Sequence, residues 1–170
     1  MRNLSRIIIL SAVLALVAFL FSGMGSAADV FPAFSARSLE GHAVTDAIFA
    51  DKKLTMVNIW TTWCPPCIAE MPDLGKLANS MPEGSQLVGI ILDADDPNAL
   101  DEAQKILSKA NAKFPQILPA DVMSPVLEEV QAIPTTIFVD ADRNIVGKPL
   151  VGSRSEKAYR SEIEKLLKTL

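Results

Sequence analysis

Residues 54–67 read LTMVNIWTTWCPPC, and this stretch decides the fold. The first seven residues are mostly apolar, β-branched or aromatic, a composition typical of a buried central strand. A loop follows that holds both cysteines of the chain, Cys64 and Cys67, in one Cys-x-x-Cys pattern. After Cys64, apolar or small residues recur at helical spacing, which predicts a helix that begins at the cysteine pair.

The rest of the chain alternates between predicted strands and helices. Residues 29–53 carry a Glu40-Gly41 turn and are predicted to form a short hairpin or an irregular lead-in. The fold class is therefore α/β, with helices flanking a mixed central sheet that is parallel at first and antiparallel at its end. Apolar runs and turn signals predict further strands at residues 87–92, 135–139 and 145–151, and helices at residues 99–110, 124–131 and 155–170.

The N-terminus is predicted to be a secretory signal peptide. Within residues 1–28, Arg2 and Arg6 precede an apolar run at residues 7–21, and small residues follow. The run is shorter than the roughly 20 residues that a membrane-spanning helix prefers, so we favour cleavage over an uncleaved anchor. The remaining residues, 29–170, have the length and composition of one folded domain located outside the cytoplasm.

The charge distribution argues against a nucleic-acid partner. Removing residues 1–28 takes away Arg2 and Arg6 and no acidic residue, so the formal net charge falls from -4 to -6. A protein that binds phosphate backbones needs a basic stripe, whereas the positive residues here are scattered among Asp and Glu. We therefore expect the partners to be proteins.

The cysteine pair lies where a strand ends and a helix begins, which is typical of a redox-active dithiol. At a helix N-terminus, free backbone N–H groups and the helix dipole favour the thiolate, so Cys64 is the predicted nucleophile. Cys67, one turn further on, is the predicted resolving thiol that attacks a mixed disulfide on Cys64. Pro65 and Pro66 carry no N–H, so we predict a moderate Cys64 pKa and a reducing potential.

The sequence supports other roles for the cysteine pair less well than a redox role. A zinc site usually needs four ligands, but the chain adds only His42 to its two thiols, so no metal is expected. A purely structural disulfide across so short a loop would stabilise the fold little. A copper or haem chaperone that uses both thiolates stays an alternative, although no His or Met ligand pattern lies nearby.

Residues 60–72, WTTWCPPCIAEMP, and residues 133–136, IPTT, resemble the thioredoxin superfamily, and the nearer resemblance is to its extracytoplasmic TlpA/ResA-like group. The resemblance covers nearly all of residues 30–170. It implies a thioredoxin-like fold with an N-terminal hairpin extension and a tethered or secreted reductase of protein disulfides. It also implies a role in cytochrome c maturation and electrons supplied by a membrane thiol carrier.

The same resemblance implies roles for residues around the cysteines. Pro134 matches the cis-proline of the family, and Ile133 before it offers free backbone to an extended substrate peptide. Glu70 matches an active-site glutamate that exchanges protons with the cysteines, although spacing alone equally allows a solvated glutamate. Asn58 occupies the strand position of the buried aspartate in cytoplasmic thioredoxins, and Trp63 resembles an exposed docking residue.

We therefore expect a monomeric protein-disulfide oxidoreductase that cycles Cys64 and Cys67 between dithiol and disulfide and uses no other cofactor. Its substrates are expected to be exported proteins with disulfides, apocytochrome c among them, and its electron donor a membrane thiol protein. A disulfide oxidant is the main alternative, because the motif does not decide the direction of electron flow.

Overall fold

The computed structural model describes residues 29–170, and the predicted signal peptide at residues 1–28 lies outside the described residues. The strands are β1 (Ser35–Arg37), β2 (Ala43–Thr45), β3 (Leu54–Trp60), β4 (Ser85–Ile91), β5 (Gln116–Ile117), β6 (Thr135–Asp140) and β7 (Leu150–Val151). The helices are α1 (Ala47–Ala50), α2 (Pro65–Ala78), α3 (Ala99–Lys109), α4 (Ser124–Leu127) and α5 (Glu156–Leu167). None of the helices in the described range is long and apolar enough to cross a membrane.

Five strands form the central sheet in the order β5-β4-β3-β6-β7. Strand β4 pairs in parallel with both β3 and β5, whereas β6 pairs antiparallel with both β3 and β7. Strands β1 and β2 form a separate antiparallel hairpin. This arrangement confirms the predicted mixed sheet and its N-terminal hairpin.

Side chains alternate between the two faces of the sheet, and each face carries its own core. Met56 and Trp60 of β3 pack on the face covered by α2, α3 and α5. Val57 and Ile59 point to the opposite face, where the N-terminal segment supplies three mutually packed aromatic rings, Phe31, Phe34 and Phe49. Asn58 has the same parity as Met56 and Trp60, so it is directed toward the long helices.

Three elements differ from the predicted ones. Strand β5 was missed, because two paired residues in a proline-bearing loop leave no periodic signal. Helix α4 ends at Leu127 and is shorter than predicted. The strand predicted at residues 145–151 is reduced to β7 and an isolated bridge from Ile145 to Val139, since Gly147 adopts a positive φ of 72° between them.

Gly89 in the middle of β4 leaves room for a buried amide on the neighbouring strand. A Cβ built at Gly89 would lie 2.0 Å from the Oε1 of Gln116, and that same oxygen accepts a 3.0 Å hydrogen bond from the indole N–H of Trp60. Alanine at residue 89 would displace the Gln116 side chain and leave the buried Trp60 donor without its acceptor.

We therefore expect Gly89→Ala to lower the free energy of unfolding by about 2–4 kcal/mol, because overpacking and the loss of a buried hydrogen bond both destabilise the fold. Urea unfolding followed by circular dichroism measures this change. In the Gln116→Ala background, where the obstructing side chain is absent, the same substitution is expected to cost little. An equal cost in both backgrounds would contradict the explanation.

Candidate active site

The cysteine pair lies at the carboxyl end of the central strand β3, at the start of α2. Cys64 is the N-cap residue of α2 and has an extended backbone, while Cys67 lies in the first helical turn. The two are joined by a disulfide bond with a Cα–Cα distance of 5.3 Å. Only Cys64 keeps any accessible surface, 3% against 0% for Cys67, so the sulfur predicted to attack is the one nearer to solvent.

The sulfur of Cys64 receives one hydrogen bond within the described residues. The backbone N–H of Cys67 donates to Cys64 Sγ over 3.2 Å. An N-cap side chain normally accepts from the second or third helical N–H, and Pro66, at the second position, has none to donate. The helix terminus therefore supplies a single amide to this sulfur.

Glu70 is buried beneath the cysteine pair and not solvated. Its side chain is 3% exposed, and the residue follows Cys67 by one helical turn on the same face of α2. Ile68, two residues earlier in α2, is 38% exposed. The inward position thus holds a carboxyl group, and the apolar side chain beside it faces solvent.

Three donors surround the Glu70 carboxylate. The Nδ2 of Asn58 donates to Oε1 over 2.9 Å. The hydroxyl of Tyr159 donates to Oε2 over 2.8 Å, and the backbone N–H of Arg154 donates to the same oxygen over 3.1 Å. In the described part of the chain, every hydrogen-bond partner of the Glu70 carboxylate is a donor, which is the arrangement that suits an ionised carboxylate.

Burial and hydrogen bonding act on Glu70 in opposite directions. Desolvation raises the pKa of the Glu70 carboxyl above its ordinary value, and hydrogen bonds from Asn58, Tyr159 and the Arg154 backbone limit the rise. Burial also raises the pKa of Tyr159, as does the neighbouring Glu70 charge, so Tyr159 keeps its proton and acts as a donor. A raised pKa makes the Glu70 carboxylate a stronger base toward a neighbouring thiol than an ordinary glutamate.

Sheet pairing explains how this cluster forms. Asn58 of β3 lies directly opposite Thr136 of β6, and both side chains face the long helices. Tyr159, at 0% exposure, reaches the same point from α5. Sequence reasoning missed Tyr159, although a lone tyrosine at the apolar spacing of residues 159, 163 and 166 was the available signal.

The peptide bond between Ile133 and Pro134 is cis, as the family resemblance implied. It precedes β6, and Thr135 pairs with Ile59 near the end of β3, so Pro134 and the cysteine loop lie at the same edge of the sheet. No residue in the described part of the chain hydrogen-bonds to the backbone of Ile133. Its N–H and C=O are therefore available to a bound peptide.

Trp63 and Ile133 border one groove of about 430 Å³ beside the cysteine loop. Trp63 is 69% exposed, as the family resemblance implied, whereas Trp60 on β3 is fully buried. Asp93, after β4, also lines this groove. Its carboxylate accepts from the backbone N–H and the hydroxyl of Thr62, and so it fixes the loop that presents Trp63.

The site residues named from the sequence thus fall into two groups. Cys64, Cys67 and Glu70 follow one another along the start of α2, and Asn58 is hydrogen-bonded to Glu70. Trp63 and Ile133 border the outer groove, and Pro134 follows Ile133 through the cis peptide bond. Within residues 29–170, no group of three or more His, Cys, Asp or Glu side chains is placed to hold a metal ion.

Comparison with known proteins places the chain among thiol-disulfide oxidoreductases. A family model described as Redoxin matches residues 26–167. The thiol:disulfide interchange protein DsbE of Yersinia pestis is 31% identical over 139 residues, which are 81% of this chain and 70% of that protein. The thiol:disulfide interchange protein HelX of Rhodobacter capsulatus is 30% identical over 125 residues, 72% of this chain and 66% of that protein.

Solved structures agree with these relatives. A secreted Mycobacterium tuberculosis disulfide oxidoreductase, described as homologous to E. coli DsbE, is 29% identical with a TM-score of 0.61, over 78% of this chain and 95% of that one. A thioredoxin-family thiol:disulfide interchange protein from Chlorobium tepidum has a TM-score of 0.67 at 23% identity, over 84% of this chain and 98% of that one, and supports the fold. The chain therefore belongs to the Redoxin family and is a thiol-disulfide oxidoreductase of the DsbE, ResA and HelX type.

Proposed function

We propose that the protein reduces disulfide bonds of exported proteins through the Cys64-Cys67 dithiol. The observation that carries the direction is that, in residues 29–170, a single N–H group donates to Cys64 Sγ. A thiolate with few donors is less stabilised, so the dithiol form gives up its electrons more readily than in strongly oxidising proteins of this chemistry. The disulfide between the two cysteines is then the favoured product.

The Cys64-Cys67 dithiol supplies both electrons for the reduction, so the reaction needs no further cofactor. The Cys64 thiolate attacks one sulfur of the substrate disulfide, which forms a mixed disulfide and releases the other substrate sulfur as a thiolate. Cys67, deprotonated by Glu70, then attacks Cys64 Sγ and releases the second substrate thiolate. Two electrons pass to the substrate, and an external dithiol must reduce the Cys64-Cys67 bond before the next cycle.

Substrate recognition is assigned to the groove between Trp63 and Ile133. The free N–H and C=O of Ile133 can pair with an extended peptide as an added strand would. Trp63 offers a large exposed ring beside the attacking sulfur. The substrate is therefore a protein segment around a cysteine, and apocytochrome c is the example that the family resemblance favours.

Export and the electron supply are part of the same proposal. The predicted signal peptide at residues 1–28 directs the chain out of the cytoplasm, and a relative of known structure is described as secreted. Soluble thiol pools do not reduce proteins efficiently in an oxidising compartment. A membrane thiol protein is therefore the proposed electron donor, and the enzyme is proposed to act as a monomer.

The equilibrium potential of the Cys64-Cys67 couple tests the direction. Titration of the mature domain against dithiothreitol, followed by Trp63 fluorescence, is expected to give a value near or below about -270 mV. A value that approaches about -120 mV would identify an oxidant and exclude the reductase proposal. Tight Cu(I) binding by the reduced protein would instead favour the chaperone alternative.

Two proline variants test the cause of the low potential. Pro66→Ala restores an N–H at the second helical position, from which it can donate to the Cys64 sulfur, so a more oxidising potential is expected. Pro65→Ala is the matched control, because the first helical N–H does not serve the N-cap side chain. Equal shifts in both variants would mean that proline rigidity, and not the missing donor, sets the potential.

A further inference from the structure

The hydroxyl groups around Glu70 form a directed chain of donors. Asn58 Nδ2 donates to Thr136 Oγ1 over 3.3 Å, and Thr136 Oγ1 donates to Tyr159 Oη over 3.4 Å. Tyr159 Oη in turn donates to Glu70 Oε2 over 2.8 Å. Each hydroxyl has one proton, so the donor from Thr136 leaves the Tyr159 proton directed at the carboxylate.

We propose that Tyr159 is the positioning residue of this active site: its hydroxyl, oriented by Thr136, holds the Glu70 carboxylate in one orientation and favours its ionised form. Within the described residues the Tyr159 hydroxyl hydrogen-bonds to Thr136 and Glu70 and not to the cysteines, and Tyr159 does not line the substrate groove, so its hydroxyl acts through Glu70. This inference rests on the proposed function only in one respect, namely that Glu70 accepts the proton of Cys67.

Few other groups can take over this role. Asn58 of β3 and Thr136 of β6 are neutral, and Cys67 of α2 titrates only when the disulfide is reduced. Arg154 contributes its backbone N–H and a guanidinium, but the guanidinium is bonded to the carbonyls of residues 151–153 at the surface. Tyr159 is thus the one buried side chain with a titratable hydroxyl that faces Glu70 in the described part of the chain.

Removal of the hydroxyl is expected to disfavour the Glu70 carboxylate. In the oxidised protein labelled with ¹³C at the glutamate carboxyls, the Glu70 resonance is identified by its loss in Glu70→Gln. Tyr159→Phe keeps the ring and removes one hydrogen bond to a charged group, so the titration midpoint of Glu70 is expected to rise by about one to two pH units. Ser161→Ala removes an exposed hydroxyl from the same helix and is expected to leave the midpoint unchanged.

A second variant shifts the midpoint in the opposite direction. The chain has a single tyrosine, so growth on 3-fluorotyrosine labels Tyr159 alone. The fluorinated phenol is more acidic and is a stronger donor, so the Glu70 midpoint is expected to fall. This variant preserves the packing of the ring. It therefore tests whether the Tyr159 hydroxyl favours the Glu70 carboxylate even if Tyr159→Phe does not fold.

A merely structural tyrosine gives a different result. If the Tyr159 hydroxyl contributes only to the stability of the fold, Tyr159→Phe lowers the urea midpoint but leaves the Glu70 titration where it is, and the inference is overturned. A fluorotyrosine protein whose Glu70 midpoint does not fall overturns it as well. The titration uses the disulfide form without substrate, so its outcome is independent of whether the protein proves to be a reductase.

Discussion

Cys64→Ser is expected to lower disulfide reduction more than about 10³-fold, to the uncatalysed background, because the serine hydroxyl is not ionised at neutral pH and the thiolate is the nucleophile. Cys67→Ser is expected to lose turnover as well but to keep the first attack. It should therefore accumulate a mixed disulfide between Cys64 and the substrate. Non-reducing electrophoresis and mass spectrometry with a disulfide-bonded test protein measure both outcomes.

The geometry makes the two serine variants unequal. Cys64 is the N-cap of α2 and retains accessible surface, whereas Cys67 is fully buried and has no direct path to a protein substrate. An adduct on Cys67 in Cys64→Ser, as abundant as the adduct on Cys64 in Cys67→Ser, would reverse the assigned roles. The double variant serves as the control for adducts formed without either thiol.

Glu70→Gln is expected to slow the second step, the attack of Cys67 on the mixed disulfide, by about 10²-fold or more at neutral pH, which is the usual contribution of a positioned acid-base group. In the unsubstituted protein, Glu70 accepts the Cys67 proton only when ionised. Burial raises the pKa of Glu70, so the rate should fall as the pH drops through that raised pKa. The glutamine variant should lack this acidic limb.

Stopped-flow measurement of Trp63 fluorescence, after the reduced protein is mixed with a glutathione mixed disulfide as substrate, resolves the attack of Cys67. Asp73→Asn is the matched control, since Asp73 lies one turn further on the same helix and is paired with Lys76 at the surface. It is expected to leave both the rate and the pH profile unchanged. A Glu70→Gln rate within about threefold of the unsubstituted rate would show that Cys67 is deprotonated by another route.

The alternation of strands and helices and the redox pair were predictable from the sequence because both are local signals. The period of the apolar residues defined β3 and α2, and the position of Cys64 between them needs no distant partner. The resemblance of residues 133–136 to a family motif further indicated the cis bond at Pro134. The strands that were predicted wrongly, β5 and part of the β7 hairpin, are short and depend on pairing with neighbouring strands.

The surroundings of Glu70 were decided only by the tertiary structure. On the sequence, Glu70 is a polar residue inside a helix, and its spacing fits a solvated position as well as a buried one. Register between β3 and β6 sets Asn58 opposite Thr136, and the docking of α5 brings Tyr159 from 89 residues away. Those contacts are long-range, so no local pattern encodes them.

The sequence by itself thus determined which atoms exchange electrons, because a Cys-x-x-Cys pair at a strand-to-helix junction carries its chemistry in its own backbone. The tertiary structure decided where the proton can go. A carboxyl group has a raised pKa only when distant segments exclude water from it, and it keeps its charge only when they also supply donors. Packing of α2 and α5 against the sheet meets both conditions at Glu70.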